Sequence, residues 1–234
     1  MTYTPPPPPG LTLTTTRVAG ASGGVKALVY GPSGVGKTRL CATAPSPLIL
    51  SAEAGLMSLR DQDIPAIEIT TVEQLNNLHA WLLGPGGAPY HTICLDSISE
   101  IAEKVLTNAK KKSKDGRAAY GNANDQMWEV IRAFRDLPGK CVIFTAKAEW
   151  VKDDTTGITR WSPSMPGKSL TQGLAYFFDE VFYMGVGIAE DKSQYRYLQT
   201  YTDLQYTAKD RSGSLEPLEY PDLTNVFNKI YGVI

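Results

Sequence analysis

The chain has 234 residues and 23 basic against 24 acidic side chains, a formal net charge of −1. That length suits one α/β domain with a sizeable core and leaves little room for a second. The charge supplies no global attraction to nucleic acid, and no apolar run of about 18 residues exists to span a membrane. The N-terminus lacks the basic-then-apolar pattern of a secretory signal. Cys41, Cys94 and Cys141 are odd in number and scattered through apolar segments, which fits small buried hydrophobes in a reducing cytoplasm. With only His79 and His91 beside them, a zinc site is not expected.

Residues 1–10, with five consecutive prolines, read as a polyproline tail that builds no core. Residues 11–18, rich in threonine, read as an edge strand, and 19–24 as a flexible link. The expected division is thus a proline-rich flexible tail and edge segment over 1–24 and one folded core over 25–234. Residues 25–30 form a buried strand in this reading, and 38–44 a short helix stopped by Pro45.

Between them stands Gly31-Pro32-Ser33-Gly34-Val35-Gly36-Lys37-Thr38, which fits the G-x-x-x-x-G-K-[ST] phosphate-binding loop at every fixed position. A chance match is on the order of one in a hundred for a chain this long. Gly31, Gly34 and Gly36 let the backbone bring N–H groups close to phosphate oxygens. The helix start near Lys37 adds unpaired N–H groups and the positive end of a dipole. Lys37 reaches the β- and γ-phosphates as a point charge, the Thr38 hydroxyl suits Mg²⁺, and Arg39 follows in the nucleotide-binding set. The loop implies a bound nucleoside triphosphate.

A second buried strand, 48–51, runs into Glu53, at the sheet edge where α/β folds place their ligands. Glu53 is therefore either a general base for an attacking water or a solvated loop carboxylate. A short strand over 64–69 and a helix over 71–83 follow, the helix opened by a Thr71–Gln74 capping box. The strand 90–97 ends in Asp96, where a carboxylate downstream of a phosphate loop serves the Mg²⁺ site.

A helix runs from Ser97 to about Lys112 and into a basic segment carrying Lys110, Lys111, Lys112, Lys114 and Arg117. That segment reads equally as a solvated helix end or as a mobile loop that grips a phosphate backbone. A helix over 122–137 and a strand over 141–146 follow, the strand ending in Lys147, either a γ-phosphate sensor or a surface lysine. Residues 150–168 read as a long polar loop holding Trp150, Arg160, Trp161 and Lys168, with indoles able to stack on bases. The remaining expected elements are a helix over 170–178, strands over 180–186, 195–201 and 205–208, and an amphipathic helix over 222–231.

The order of these parts resembles the RecA-like P-loop ATPases, and within them the short phage-encoded, core-only RecA-like proteins described as nucleotide-binding or single-strand annealing proteins. The resemblance covers about residues 25–211. It implies a mostly parallel twisted sheet flanked by helices, with antiparallel strands added at the C-terminal side. It implies ATP and Mg²⁺ as cofactors, Glu53 as catalytic glutamate and Asp96 as the magnesium-site aspartate. Lys147 stands where recombinases commonly carry a glutamine sensor, which leaves its duty open. Segments 110–120 and 150–168 stand where the family has its DNA-binding loops. Lys209-Asp210-Arg211 is similar to the Lys-x-Arg element that ring helicases insert into a neighbour's nucleotide site, where an arginine is worth about 10³–10⁵ in rate in other NTPases; a surface pair is the alternative. The implied partners are single-stranded DNA and further copies of the chain in a filament or ring, with a single-strand DNA-binding protein as another candidate. The expected activity is DNA-stimulated ATP hydrolysis serving recombination or strand annealing, in the cytoplasm of a host cell. A ring-helicase motor, a small-molecule phosphotransferase and a non-catalytic ATP-gated module remain alternatives.

Overall fold

The structure, a computed structural model, describes residues 8–10, 12–16, 18, 20, 23–53, 55–153 and 156–233. Residues 1–7 of the expected polyproline tail lie outside the described residues. Five parallel strand pairings make the centre of the sheet. Strands β1 (Lys26–Gly31), β2 (Pro47–Ser51), β3 (Ala66–Glu68), β4 (Thr92–Asp96), β5 (Cys141–Lys152) and β7 (Glu180–Ile188) lie in the order β7-β1-β5-β4-β2-β3. Strands β8 (Gln194–Gln199) and β10 (Leu218–Glu219) extend the β7 side antiparallel. Two short partners join them: β6 (Thr159–Ser164) folds back on β5, and β9 (Lys209–Asp210) on β7. The mixed α/β architecture expected from the sequence is the observed one.

Burial on both faces explains the strand composition. Every residue of β4 is buried, and so are the first six of β5, as expected where helices cover both sides of a parallel sheet. Helices α2 (Val72–Leu83), α3 (Ile98–Lys112), α4 (Gly116–Arg135) and α5 (Lys168–Gly173) pack one face around Leu28, Phe144, Ile101 and Met127. Helices α1 (Lys37–Cys41) and α6 (Leu223–Tyr231) cover the other around Val29, Ile143 and Phe227. The Thr71–Gln74 capping box forms as expected. The cysteines are free and buried, and among the described residues no cluster of metal-binding side chains occurs. Among the described residues no helix is long and apolar enough to cross a membrane.

Four expectations are corrected. Of the two readings of the basic segment the helix end holds, with Lys110–Lys112 closing α3, but α4 begins at Gly116 instead of residue 122, because Asp115 caps it by accepting from the Arg117 N–H at 2.8 Å. Residues 150–168 are not a long loop, since β5 runs on to Lys152 and pairs with β6 in a hairpin. The Trp150 and Trp161 rings lie there 4.6 Å apart across the strands, tilted by 36° to one another. The strand expected over 205–208 reduces to one bridge, Trp161 with Tyr206, and pairing resumes at Lys209. Among the described residues of 11–18 no strand forms; 12–15 are irregular and Thr16 and Val18 helical.

Candidate active site at the phosphate loop

Strand β1 delivers the loop at its C-terminal end. Gly31 faces β7 so closely that a Cβ there would meet the Met184 carbonyl oxygen at 2.5 Å, so only glycine fits. Gly36 takes φ +107°, a conformation that L side chains rarely adopt, and leads straight into α1. The Lys37 ammonium folds back to donate to the Gly31 and Pro32 carbonyls at 2.8 and 2.9 Å. Burial lowers its pKa, opposed by the nearby Asp96 and Glu53 carboxylates, while Lys147 adds to the lowering. Among the described residues it makes no ion pair, so an anion between the loop amides and this ammonium would supply the missing counter-charge.

Asp96 closes the site from β4. The Thr38 hydroxyl donates to its Oδ2 at 2.7 Å, and the Thr145 hydroxyl of β5 to its Oδ1 at 2.5 Å. One carboxylate thus ties the loop to two neighbouring strands. A threonine hydroxyl and an aspartate are hard oxygen donors of the kind Mg²⁺ takes, so these residues fit that ion. Glu53, just past β2, accepts from the Ser97 hydroxyl, and its backbone carbonyl accepts from Ser51 Oγ. The same turn lies against the loop, with Gly55 beside Thr38. Register makes this meeting possible: β2 and β4 pair Ser51 with Asp96, which brings the two carboxylates to the ends of adjacent strands.

The other candidates are placed as follows. Arg39 points away from the loop, pairing with exposed Asp61 at 3.0 Å, and that contact lowers the Asp61 pKa. The Lys147 backbone is level with Gly31, but its ammonium bonds Glu103 and Glu100 of α3 at 3.0 and 3.1 Å, raising its pKa. Lys209 and Arg211 stand at the opposite end of the sheet, where β9 pairs with the start of β7. Lys209 donates to the Ala175 carbonyl at 3.1 Å, and Arg211 pairs with Asp179 at 2.6 Å while staying mostly exposed. Neither reaches the loop of its own chain.

The DNA candidates sit on two projections. Lys110, Lys111 and Lys112 form the last turn of α3, and Lys114 and Arg117 the short connection and first turn of α4. Lys110 lies 5.0 Å over the Tyr120 ring. Helix α3 crosses the C-terminal ends of the strands, since Lys104 donates to the Ala52 and Ile69 carbonyls just past β2 and β3. Trp150, Arg160 and Trp161 belong to the β5–β6 hairpin, and Lys168 opens α5. Trp150 is 55% exposed, the more open of the two paired rings. Arg160 and Lys209 also line a cavity of about 710 Å³ between the hairpin, α5 and β9, away from the loop. Its volume does not mark the chemistry, because a phosphate loop works as an open cradle of backbone groups.

Three residues escaped sequence reasoning. Thr145 lay inside an apolar strand, and only the β4–β5 register turns its hydroxyl toward Asp96. Ser97 followed Asp96 in plain sight, but its bond to Glu53 spans 44 residues. Arg196, whose Nε donates to the Val35 carbonyl at 2.7 Å across 161 residues, carried no local signal.

A family model described as an AAA domain matches residues 23–212. No curated protein matches the chain. The matched span holds the loop, Glu53, Asp96 and the whole parallel sheet, and this chain belongs to the AAA-domain family of P-loop ATPases.

Proposed function

We propose that this chain hydrolyses ATP at residues 31–38 and uses the cycle to control its hold on single-stranded DNA in recombination or strand annealing. The observation that carries the catalytic part is the meeting of Asp96 and Glu53 at adjacent strand ends beside the loop, with Asp96 bonded to Thr38. Lys37 exchanges the Gly31 and Pro32 carbonyls for phosphate oxygens, a short movement of a side chain already at the loop. Glu53, held at one oxygen by Ser97, orients and deprotonates the attacking water with the other. Thr38 and Asp96 would hold Mg²⁺, which would supply positive charge against the charge developing on the phosphates.

Arg211 acts in a neighbouring copy's site, a role supported by its exposure and its distance from its own loop. The DNA part is supported by the five cations at the α3–α4 turn, by the exposed Trp150 on a projecting hairpin, and by the resemblance to core-only RecA-like phage proteins. A host-cell cytoplasm and a single-strand DNA-binding protein as partner belong to the same proposal. Phosphate release measured with and without single-stranded DNA, over a range of protein concentrations, tests it. The rate per chain should rise with both. A rate indifferent to DNA and to concentration would remove DNA and the shared site while leaving the ATPase.

A further inference from the structure

A phosphate loop turns its amides inward, so its carbonyls face outward and need donors of their own. Lys37 meets those of Gly31 and Pro32. The Val35 carbonyl is met from far along the chain by Arg196 Nε at 2.7 Å.

The sheet explains how an arginine 161 residues away arrives there. Tyr183 of β7 is level with Tyr30 of β1, so Met184 lies directly against Gly31. β8 returns antiparallel, pairing Met184 with Leu198 and Val186 with Arg196. Side chains alternate along a strand, so Arg196 shares a face with Leu198, which packs in the cluster that holds Val35 and α1. Tyr195 and Tyr197 turn to the other face. Arg196 therefore extends over the loop, with its Nε 3.4 Å and Cδ 3.6 Å from where a Cβ of Gly36 would stand. Its side chain makes no ion pair among the described residues, and its only side-chain hydrogen bond there is the one to Val35.

We propose that Arg196 is a positioning residue of the nucleotide site, pinning the Val35 carbonyl outward so that the loop amides stay aimed at the phosphates. The assignment rests on the reading of 31–38 as an ATP site. It predicts a role in binding before chemistry, because a loop held in its cradle shape serves the α- and β-phosphates that ATP and ADP share. A charged donor on a carbonyl also strengthens the bond and adds positive potential where the triphosphate sits.

The test is calorimetric binding of Mg²⁺·ATP and Mg²⁺·ADP to the full chain and to Arg196→Ala, Arg196→Gln and Arg196→Lys, with phosphate release measured in parallel. Arg196→Ala should weaken both nucleotides alike by about tenfold, the worth of one charge-assisted hydrogen bond. KM should rise by a similar factor, with kcat at saturating ATP little changed. Arg196→Lys, which keeps a cationic donor, should restore most of the affinity, and Arg196→Gln should fall between. Unchanged affinities in the alanine variant would overturn the assignment, as would a loss confined to ATP, which would mean a direct contact with the γ-phosphate. A lysine variant as weak as alanine would equally contradict it. Failure of the unaltered chain to bind ATP would instead refute the site itself, so the two failures are distinguishable.

Discussion

The sheet carries two carboxylate pairs, one at each end of its strands, and they are built in opposite ways. At the C-terminal end, Asp96 accepts two threonine hydroxyls and Glu53 a serine hydroxyl, beside an open loop. At the other end, Glu180 of β7 faces Asp210 of β9 and is only 1% exposed. One oxygen of Glu180 accepts the Ser212 N–H at 3.2 Å, and the other meets no N–H or hydroxyl donor among the described residues. Burial, with Asp210 beside it, pushes the Glu180 carboxyl up to about 8, so it carries a proton at neutral pH. The contrast teaches that an acidic pair is read from its donors. Carboxylates supplied with hydroxyls next to a phosphate cradle suit the chemistry proposed for them, while Glu180, buried and short of donors beside an Asp210 that accepts three hydrogen bonds, stores a proton inside the fold.

The sharpest way to break this contrast is to disable each end separately. Lys37→Ala should take ATP turnover to background, whereas Glu180→Gln should leave it within about twofold; steady-state phosphate release on both variants checks this. Asp96→Asn comes next, with kcat/KM falling about a hundredfold and the Mg²⁺ concentration for half-maximal rate rising, as a magnesium titration would show. Reversing the charges of Lys110, Lys111 and Lys112 should weaken single-stranded DNA binding. The log–log salt slope should flatten by up to about 2, at roughly 0.7 per lost phosphate contact; an unaltered slope removes the α3–α4 turn from the DNA reading.

The smallest effect concerns stability. Glu180 binds its proton more tightly folded than unfolded, so the folded state holds more protons between the ordinary value of 4.5 and about 8. Its contribution to stability is full below that window and is lost as pH rises through it. Glu180→Gln keeps the neutral form at every pH. Thermal melts should therefore show the variant gaining on the parent chain as pH rises across the window, at roughly 2–4 °C for each kcal/mol of linkage.

Much of this was legible in the residues, and the limits have physical causes. The phosphate loop is local, eight consecutive positions whose chemistry needs no partner, so it could be read outright. Asp96 and Glu53 were legible because apolar strands ending in acids have a definite place in parallel sheets. Thr145, Ser97 and Arg196 were not, because their partners are set by register between strands far apart in the chain. The start of α4 and the aromatic segment misled for another reason. Polar, glycine-bearing stretches resemble loops, but the Asp115 cap and the Trp150–Trp161 cross-strand pair supply the order that composition conceals. Arg211 shows the opposite limit, since one chain displays the exposure of a residue proposed to serve another copy but not the site it would serve.

The most direct measurement is ATP hydrolysis by Glu53→Gln, with Mg²⁺·ATP binding measured on the same preparation. The amide keeps the shape of the side chain and removes its capacity to take a proton. Catalysis by Glu53 predicts binding close to that of the parent chain and a kcat lower by about 10²–10⁴. Hydrolysis at the parental rate would contradict it, and the two carboxylates at the strand ends would then be structure alone.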